Sequence, residues 1–541
     1  MINEVHAEPR TRWWPAIVTL AAGTAGLVWV WGSDNDRSGQ ERVYLTTAVG
    51  LGVLVLLGLW LTLFSALPRR TRVRALVIIL AVFALAAGTV RVRGVTGDLI
   101  PIFEWRWAGR PPAPLEMLPL PAPLPDAPSV PPAATVPAAP APPPAARDGD
   151  RPSIVLERDY PQFLGPDRSG MVASAPLATD WSRVPPRLVW RQRVGAAWSG
   201  FAVSSGLAVT QEQRGAREMV VAYNVADGSP RWAQGDDAHY ATTVAGEGPR
   251  ATPTIDRGRV FTLGATGVLN AFDLTTGKRL WRRDVGVDHE SPMPDWGRSS
   301  SPLAVDDLVV VTAGGQDGHA LAAYNRDSGQ PVWQAGNDAV SYSSPHLATL
   351  AGVRQIVVMN QSTVAGHDPS TGRVLWEHSW PRIQPSVAQP LMLPGDRVLV
   401  SSGYGVGSRL LQIAAGGGGL QASLVWESTR LKSKFANVVV HDGFVYGLDD
   451  GVLACVDPST GERRWKSGRY GHGQLILAGE LLMVQTEEGE LVLVAPRSDE
   501  HRELARVAVF GRKTWNPPAL AGRYLFVRND LEAAAYELPL R

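Results

Sequence analysis

Side chains able to hold a ligand recur just ahead of short β-branched runs in the long C-terminal part of the chain. They are Trp198, Arg250, Asp295, Trp296, Arg298, Gln389, Lys434, Asn437, Gln474, Trp515 and Asn516, with Tyr342 and His472 at corresponding places. Arginine pairs bidentately with carboxylates, and tryptophan offers a flat stacking face. Together they would suit a planar ligand carrying several carboxylates. A carboxylate next to an amide can hold calcium. Asp295 with Asn437 or Asn516 is such a combination, but spacing alone assigns no metal ligand and no catalytic residue. The competing reading is that these polar residues simply line a wet channel.

Other chemistries find no support. Gly277-Lys278-Arg279 lacks the Ser/Thr and the upstream glycine of a phosphate loop. Gly403, Gly405 and Gly407 have the wrong spacing for a dinucleotide loop. The histidines show no close metal-ligand spacing, and no G-x-S-x-G elbow occurs. The single cysteine, Cys455, excludes an internal disulfide, a CxxC pair, a CxxCH haem attachment and a cysteine zinc cage. It lies on an apolar strand and reads as a buried filler. With 52 basic against 51 acidic residues, there is no concentrated basic face for nucleic acid.

The chain that must position these residues has 541 residues, 45% of them hydrophobic and 19% charged. That is enough for a large core. Its first 93 residues carry three uncharged apolar runs, at 13–31, 43–67 and 75–90. A spanning helix needs about 20 residues, so the first two runs suffice and the third needs Arg74 and Arg91 to reach the two interfaces. Arginines at 69, 70, 72 and 74 place that loop in the cytoplasm by the positive-inside rule. Three spans then put everything downstream on the other side. Residues 94–110 read as an interfacial segment, with 103–107 at the lipid surface. Residues 111–150 read as a disordered linker, since 111–145 holds 15 prolines and 9 alanines. Fully extended, that stretch would reach about 110 Å at about 3.1 Å per residue. A lead-in segment follows at 151–184.

Residues 185–541 repeat. A turn rich in Asp, Asn and Gly leads to a tryptophan at Trp232, Trp281, Trp333, Trp376 and Trp465. Trp426 follows a degenerate copy in which glycines 416–419 replace the turn, and Trp190 precedes the first full copy. An independent strand pair stands before each turn, in eight copies beginning near 199, 251, 300, 343, 388, 436, 473 and 516. Four strands per copy and eight copies predict an all-β, eight-bladed propeller. The chain ends one strand short, and the orphan strand at 187–194 is expected to close the ring, hiding the edges.

The A-x-D-x-x-T-G-x-x-x-W pattern, clearest at 271–281, resembles the pyrroloquinoline-quinone (PQQ) repeat family of eight-bladed propellers. The run 160–170, Y-P-Q-F-L-G-P-D-R-S-G, resembles the W-P-x-F-R-G-P segment that precedes many such bacterial propellers. The family includes quinoprotein dehydrogenases and the non-enzymatic BamB lipoproteins of outer-membrane assembly. Members of the first kind often carry adjacent cysteines beside the quinone, which this chain lacks, and long insertions that its roughly 45-residue blades leave no room for. Members of the second kind are lipid-anchored through an N-terminal cysteine, also absent here. The resemblance implies a bacterial inner-membrane protein with its propeller in the periplasm. The leading expectation is a non-catalytic platform that binds a protein or small ligand, in envelope assembly. The alternative it implies is a PQQ- and calcium-dependent dehydrogenase that reduces membrane quinone, with Asp295 as base.

Overall fold

The computed structural model describes residues 13–32, 39–107, 154, 156–315, 318–381 and 385–541. The expected linker at 111–150 lies outside them. The chain divides into two compact units, 1–113 and 114–541.

Among the described residues, the first unit has three helices long and apolar enough to cross a membrane. Helix α1 is Trp14–Gly32 and α2 is Gly39–Leu59, prolonged by a π-helical turn, Trp60–Phe64. Helix α3 is Arg69–Thr89, with mean hydropathy 1.9 in its most apolar window. It is 21 residues long, against the 16 apolar residues at 75–90. Pro68 sits at its N-cap, where a missing N–H costs nothing, so the arginines join the helix instead of preceding it. The Trp13 and Trp60 rings meet at 5.1 Å, and Arg72 donates to the Thr62 carbonyl at 2.8 Å. These contacts gather one set of helix ends. At the other end Trp31 donates to Thr46 Oγ1 at 2.9 Å. The helices therefore run up, down and up. A β-hairpin follows α3 directly, with strands β1 (Val90–Val95) and β2 (Pro101–Trp105).

The second unit is a ring of eight antiparallel sheets. Blade 1 comprises Ala202–Ser204, Leu207–Arg214, Arg217–Asn224 and Pro230–Asp236. Blades 2 to 7 repeat that plan, with innermost strands Thr254–Asp256, Leu303–Val305, His346–Leu350, Leu391–Leu393, Val439–His441 and Gln474–Ala478. In blade 8 the chain supplies only Ala519–Ala521, Tyr524–Arg528 and Glu532–Glu537, and the early strand Arg187–Arg193 completes the sheet. The middle strands of each blade are apolar on both faces because neighbouring blades cover both. Leu482, Met483 and Val484 are all buried, as are Val309, Val310 and Val311.

The repeated tryptophans join the blades. Each lies on an outermost strand, and its indole N–H donates to the turn between the last two strands of the next blade. Trp190 reaches Val225 O at 2.9 Å, Trp232 Leu274 O at 2.8 Å, Trp281 Arg326 O at 2.9 Å and Trp333 Pro369 O at 3.1 Å. Trp426 reaches Pro458 O at 3.0 Å and Trp465 Arg497 O at 2.8 Å. The turn glycine leaves room for the ring: a Cβ on Gly277, at φ +71, would fall 2.5 Å from Trp232. Two irregularities follow from this rule. Blade 5 has a long hairpin, Gly407–Gly416 with Gly419–Ser428, in place of the turn, so Trp376 bonds Gln355 Oε1 within its own blade. In blade 8 the third and fourth strands, Glu532–Glu537 and Arg187–Arg193, are not consecutive in the sequence, so no turn joins them for blade 7 to dock on. Its outermost strand, Arg502–Ala508, carries no tryptophan.

The lead-in segment lies along the inner edges of the ring. Tyr160 bridges antiparallel to Val203 of blade 1, and Ile255 N of blade 2 donates to Pro161 O at 2.7 Å. The Arg168 guanidinium donates to Ser301 O and Pro302 O of blade 3 and Pro345 O of blade 4. Gln389 of blade 5 donates to Arg168 O, Gly170 abuts Val439 of blade 6, and Met171–Val172 adds a parallel strand to blade 7. Glu157 sits beside Gly522 of blade 8. Sixteen residues, 157–172, thus touch all eight blades in ring order, blade 8 first and then 1 to 7, so the segment circles the inner edges.

Candidate functional site

The lead-in enters at the end of the ring where each innermost strand turns into the second. Asp159 accepts from Ser204 Oγ at 2.6 Å there, and Gly479 donates to Val172 O. The opposite mouth is built by the loops that carry the chain from one blade to the next. All the residues singled out in the sequence lie on these loops or at the first residue of the strand that follows. Two loops are long: 237–253 carries a miniature hairpin, and 285–302 opens with a one-turn helix, Val285–Asp288.

The loops bring part of the predicted set together as an aromatic and cationic cluster. The Trp198 and Trp515 rings meet at 5.0 Å, and Trp515 meets Phe435 at 5.1 Å. Phe435 in turn meets His472 at 5.6 Å. The Lys513 ammonium lies 4.0 Å from the Trp515 ring centre and 4.9 Å from that of Trp198. Lys434 lies 4.5 Å from the ring centre of Tyr404. Trp515 Nε1 donates to Glu487 Oε1 at 2.9 Å. Blades 1, 5, 6, 7 and 8 contribute to this chain of rings.

A second group sits on the long loops. Arg250 stacks 4.4 Å from the Tyr240 ring centre and donates to Ala245 O and Gly246 O. Trp198 Nε1 donates to the same Ala245 carbonyl at 2.6 Å, which links the two groups. Tyr240 donates to the Asp295 carbonyl, and the half-buried Trp296 packs against Tyr342 at 5.6 Å. The Asp295 side chain is exposed. Burial lowers Arg250 to about 10 and raises Tyr342 to about 12.

The remaining predicted residues face the protein. Arg298 is 1% exposed and donates to Ala313 O at 2.7 Å and to Ser291. Asn516 donates to Ala197 O and Ser199 O, and Gln474 to Phe435 O and Trp515 O. Asn437 accepts from Gln389 N at 2.7 Å. Those of Asn516, Gln474 and Asn437 tie one blade's approach loop to the next, and those of Arg298 hold its own loop against blade 3. A buried polar group without a partner is costly: Arg298, Asn516 and Gln474 satisfy loop carbonyls, and Asn437 satisfies the Gln389 N–H.

This geometry does not fit PQQ with calcium. The arginines expected to pair with its carboxylates are engaged with backbone oxygens. The amides proposed for calcium bridge neighbouring blades. Among the described residues no group of three or more His, Cys, Asp or Glu is placed to hold a metal. Tyr240, Tyr404, Phe435 and Lys513 were not singled out in the sequence. Phe435 and Lys513 lie within two residues of Lys434 and Trp515, and that adjacency was the available signal.

One carboxyl beneath the mouth is unusual. Glu218 is 6% exposed; one oxygen accepts from Ala265 N at 3.2 Å and the other has no partner. Burial raises it to about 7, although Arg250 and the Ala265 N–H pull the other way.

The family described as outer membrane protein assembly factor BamB has a model that matches residues 182–294 and 216–467, together more than half of the chain. An outer membrane protein assembly factor BamB from Burkholderia pseudomallei (strain K96243) is 26% identical over 334 residues, covering 57% of this chain and 77% of the relative. The crystal structure of BamB from Moraxella catarrhalis has a TM-score of 0.49 at 15% identity, covering 65% of this chain and 100% of that one. A quinohemoprotein alcohol dehydrogenase from Pseudomonas putida HK5 has a TM-score of 0.48 at 12% identity, covering 71% of this chain and 80% of that one.

Proposed function

The chain belongs to the PQQ-like repeat family described as outer membrane protein assembly factor BamB, and from that membership we propose that it is a membrane-tethered, non-catalytic propeller that binds a protein partner in outer-membrane assembly. The observation that carries this reading is the asymmetry of the channel. One end is lined by the chain's own lead-in, and at the other the half-buried Trp296, Lys513 and Trp515 stand on the inter-blade loops, with Trp198 and Lys434 buried. Aromatic side chains on a rigid frame are the usual anchors of protein interfaces. The tether is a bacterial inner-membrane anchor of α1 to α3, with lipid as its partner. The arginines at the start of α3 lie at the helix end opposite the hairpin, and the positive-inside rule puts them in the cytoplasm. The hairpin and all that follows are then periplasmic, with 111–150 as the spacer.

The test is site-specific photocrosslinking in the native membrane, from Trp296 or Lys513 at the mouth and from Arg464 on an outermost strand. Mouth positions should crosslink to a component of the outer-membrane assembly machinery, and Arg464 should not. Trp515→Ala should weaken that crosslink at least tenfold. Equal crosslinking from all three positions would sink the platform reading. Calorimetric titration of the full chain with PQQ and calcium should give no heat. Calcium-dependent micromolar binding would instead establish the dehydrogenase alternative.

A further inference from the structure

The hairpin that follows α3 has two unlike faces. Val90 pairs with Trp105 and Val92 with Phe103, so these four side chains share one face. Arg91 pairs with Glu104 on the other face, and their side chains form an ion pair at 2.9 Å. A bulge at Arg93 shifts the register beyond this point, so Gly94 faces Ile102. Trp107 stacks on Trp105 at 5.6 Å and 18°, extending the apolar face past the strand. That face is bare: Val92 is 50% exposed, Phe103 67%, Trp105 56% and Trp107 66%.

The hairpin cannot move away from the end of α3. Its first residue, Val90, donates to Ala86 O inside the helix. Its far end returns, with Arg106 N donating to Thr89 O at 2.8 Å and Arg106 Nε to Ala87 O at 3.1 Å. Its tip meets the start of α2, where a Cβ on Gly39 would fall 2.3 Å from Asp98. A strand of this length reaches about 20 Å at about 3.3 Å per residue. Both ends of the hairpin and its tip are therefore held at the level where two apolar helices end.

We propose that this hairpin is a lipid-interface anchor, with the Val92, Phe103, Trp105 and Trp107 face seated among headgroups and upper acyl chains and the Arg91–Glu104 face turned to water. The proposal rests on the reading of α1 to α3 as membrane spans. Indole rings suit this boundary because they present an apolar body and one N–H that can bond water or a headgroup oxygen. The occupant follows from continuity with the span: membrane is the one phase certain to lie beside residues clamped to the end of a membrane helix. Functionally, the anchor fixes the tilt and depth of the last helix and sets the point from which the tether to the propeller departs.

The experiment uses the full chain in phosphatidylcholine–phosphatidylglycerol vesicles, labelled with an environment-sensitive NBD fluorophore at Val92→Cys, Glu104→Cys or Leu80→Cys. The native Cys455 is buried and stays unlabelled. Val92→Cys keeps every aromatic residue of the face. The expected result is at least threefold stronger quenching at Val92→Cys than at Glu104→Cys by lipids spin-labelled near the headgroup. Aqueous iodide should give the reverse order, and Leu80→Cys should respond to lipids spin-labelled deep in the chain. If Leu80→Cys responds while Val92→Cys and Glu104→Cys are equally open to iodide, the hairpin proposal fails and the spans stand. If Leu80→Cys does not respond to lipid, the span reading fails and takes the proposal with it.

Discussion

Glu218 shows how a single side chain can tune the propeller. Its folded value of about 7 stands above the ordinary 4.5, so the native state holds its proton more tightly than the unfolded chain. The resulting stabilisation is fully present below pH 4.5 and is lost as pH rises through 7. Glu218→Gln keeps an acceptor for Ala265 N and carries no charge to desolvate. The variant should melt a few degrees higher than the parent at pH 8, and should lose the fall in stability between pH 4.5 and 7. Calorimetric scans across that range check it; identical pH profiles would contradict it. The mouth residues carry a related lesson about legibility. Their place at strand starts could be read from the repeat. Which way each side chain turns could not, because Arg298 and Asn516 are held by carbonyls of neighbouring loops at Ala313, Ala197 and Ser199. Such partners come from other parts of the sequence and leave no local mark.

At the scale of the element, the unit of cohesion is a tryptophan on one blade seated over a glycine turn on the next. Gly277→Ala and Gly258→Ala separate its two components. Both positions have φ above +70, and each substitution costs about 1 kcal/mol for that backbone. Only at Gly277 would the new methyl also meet Trp232, while nothing lies within 4 Å of Gly258. Overpacking adds about 1–3 kcal/mol. Gly277→Ala should therefore lower the denaturation midpoint clearly more than Gly258→Ala, by urea titration of both variants. This element was legible in the sequence because turn and tryptophan lie close together in one local pattern. The hairpin after α3 was legible only as an interfacial stretch. Its pairing passes through a bulge at Arg93, which breaks the simple alternation that marks a strand.

Across the whole molecule, the lead-in acts as a hoop along the inner edges of the ring. Arg168 is 1% exposed, and burial lowers it to about 9, with three backbone carbonyls around its guanidinium. Removing 154–181 would strand those carbonyls and uncover the inner edges of several blades. A chain lacking this segment should melt several degrees below the full protein, and protease should reach its innermost strands first. An unchanged melting temperature would mean the ring is self-sufficient. The number of blades and the closing strand were readable from the repeat count. The path of the lead-in was not, since its contacts fall singly on all eight blades.

The closing seam also sets a timetable for manufacture. Strand Arg187–Arg193 is made near the start of the propeller, yet its partner Glu532–Glu537 is made at the end. More than three hundred residues must leave the ribosome, and in the proposed topology cross the membrane, while that first strand waits with an open edge. A chain that stopped before Glu532 would leave that edge permanently bare, as a ready mark for proteases that clear unfinished chains. The ring cannot close before its last blade has been made.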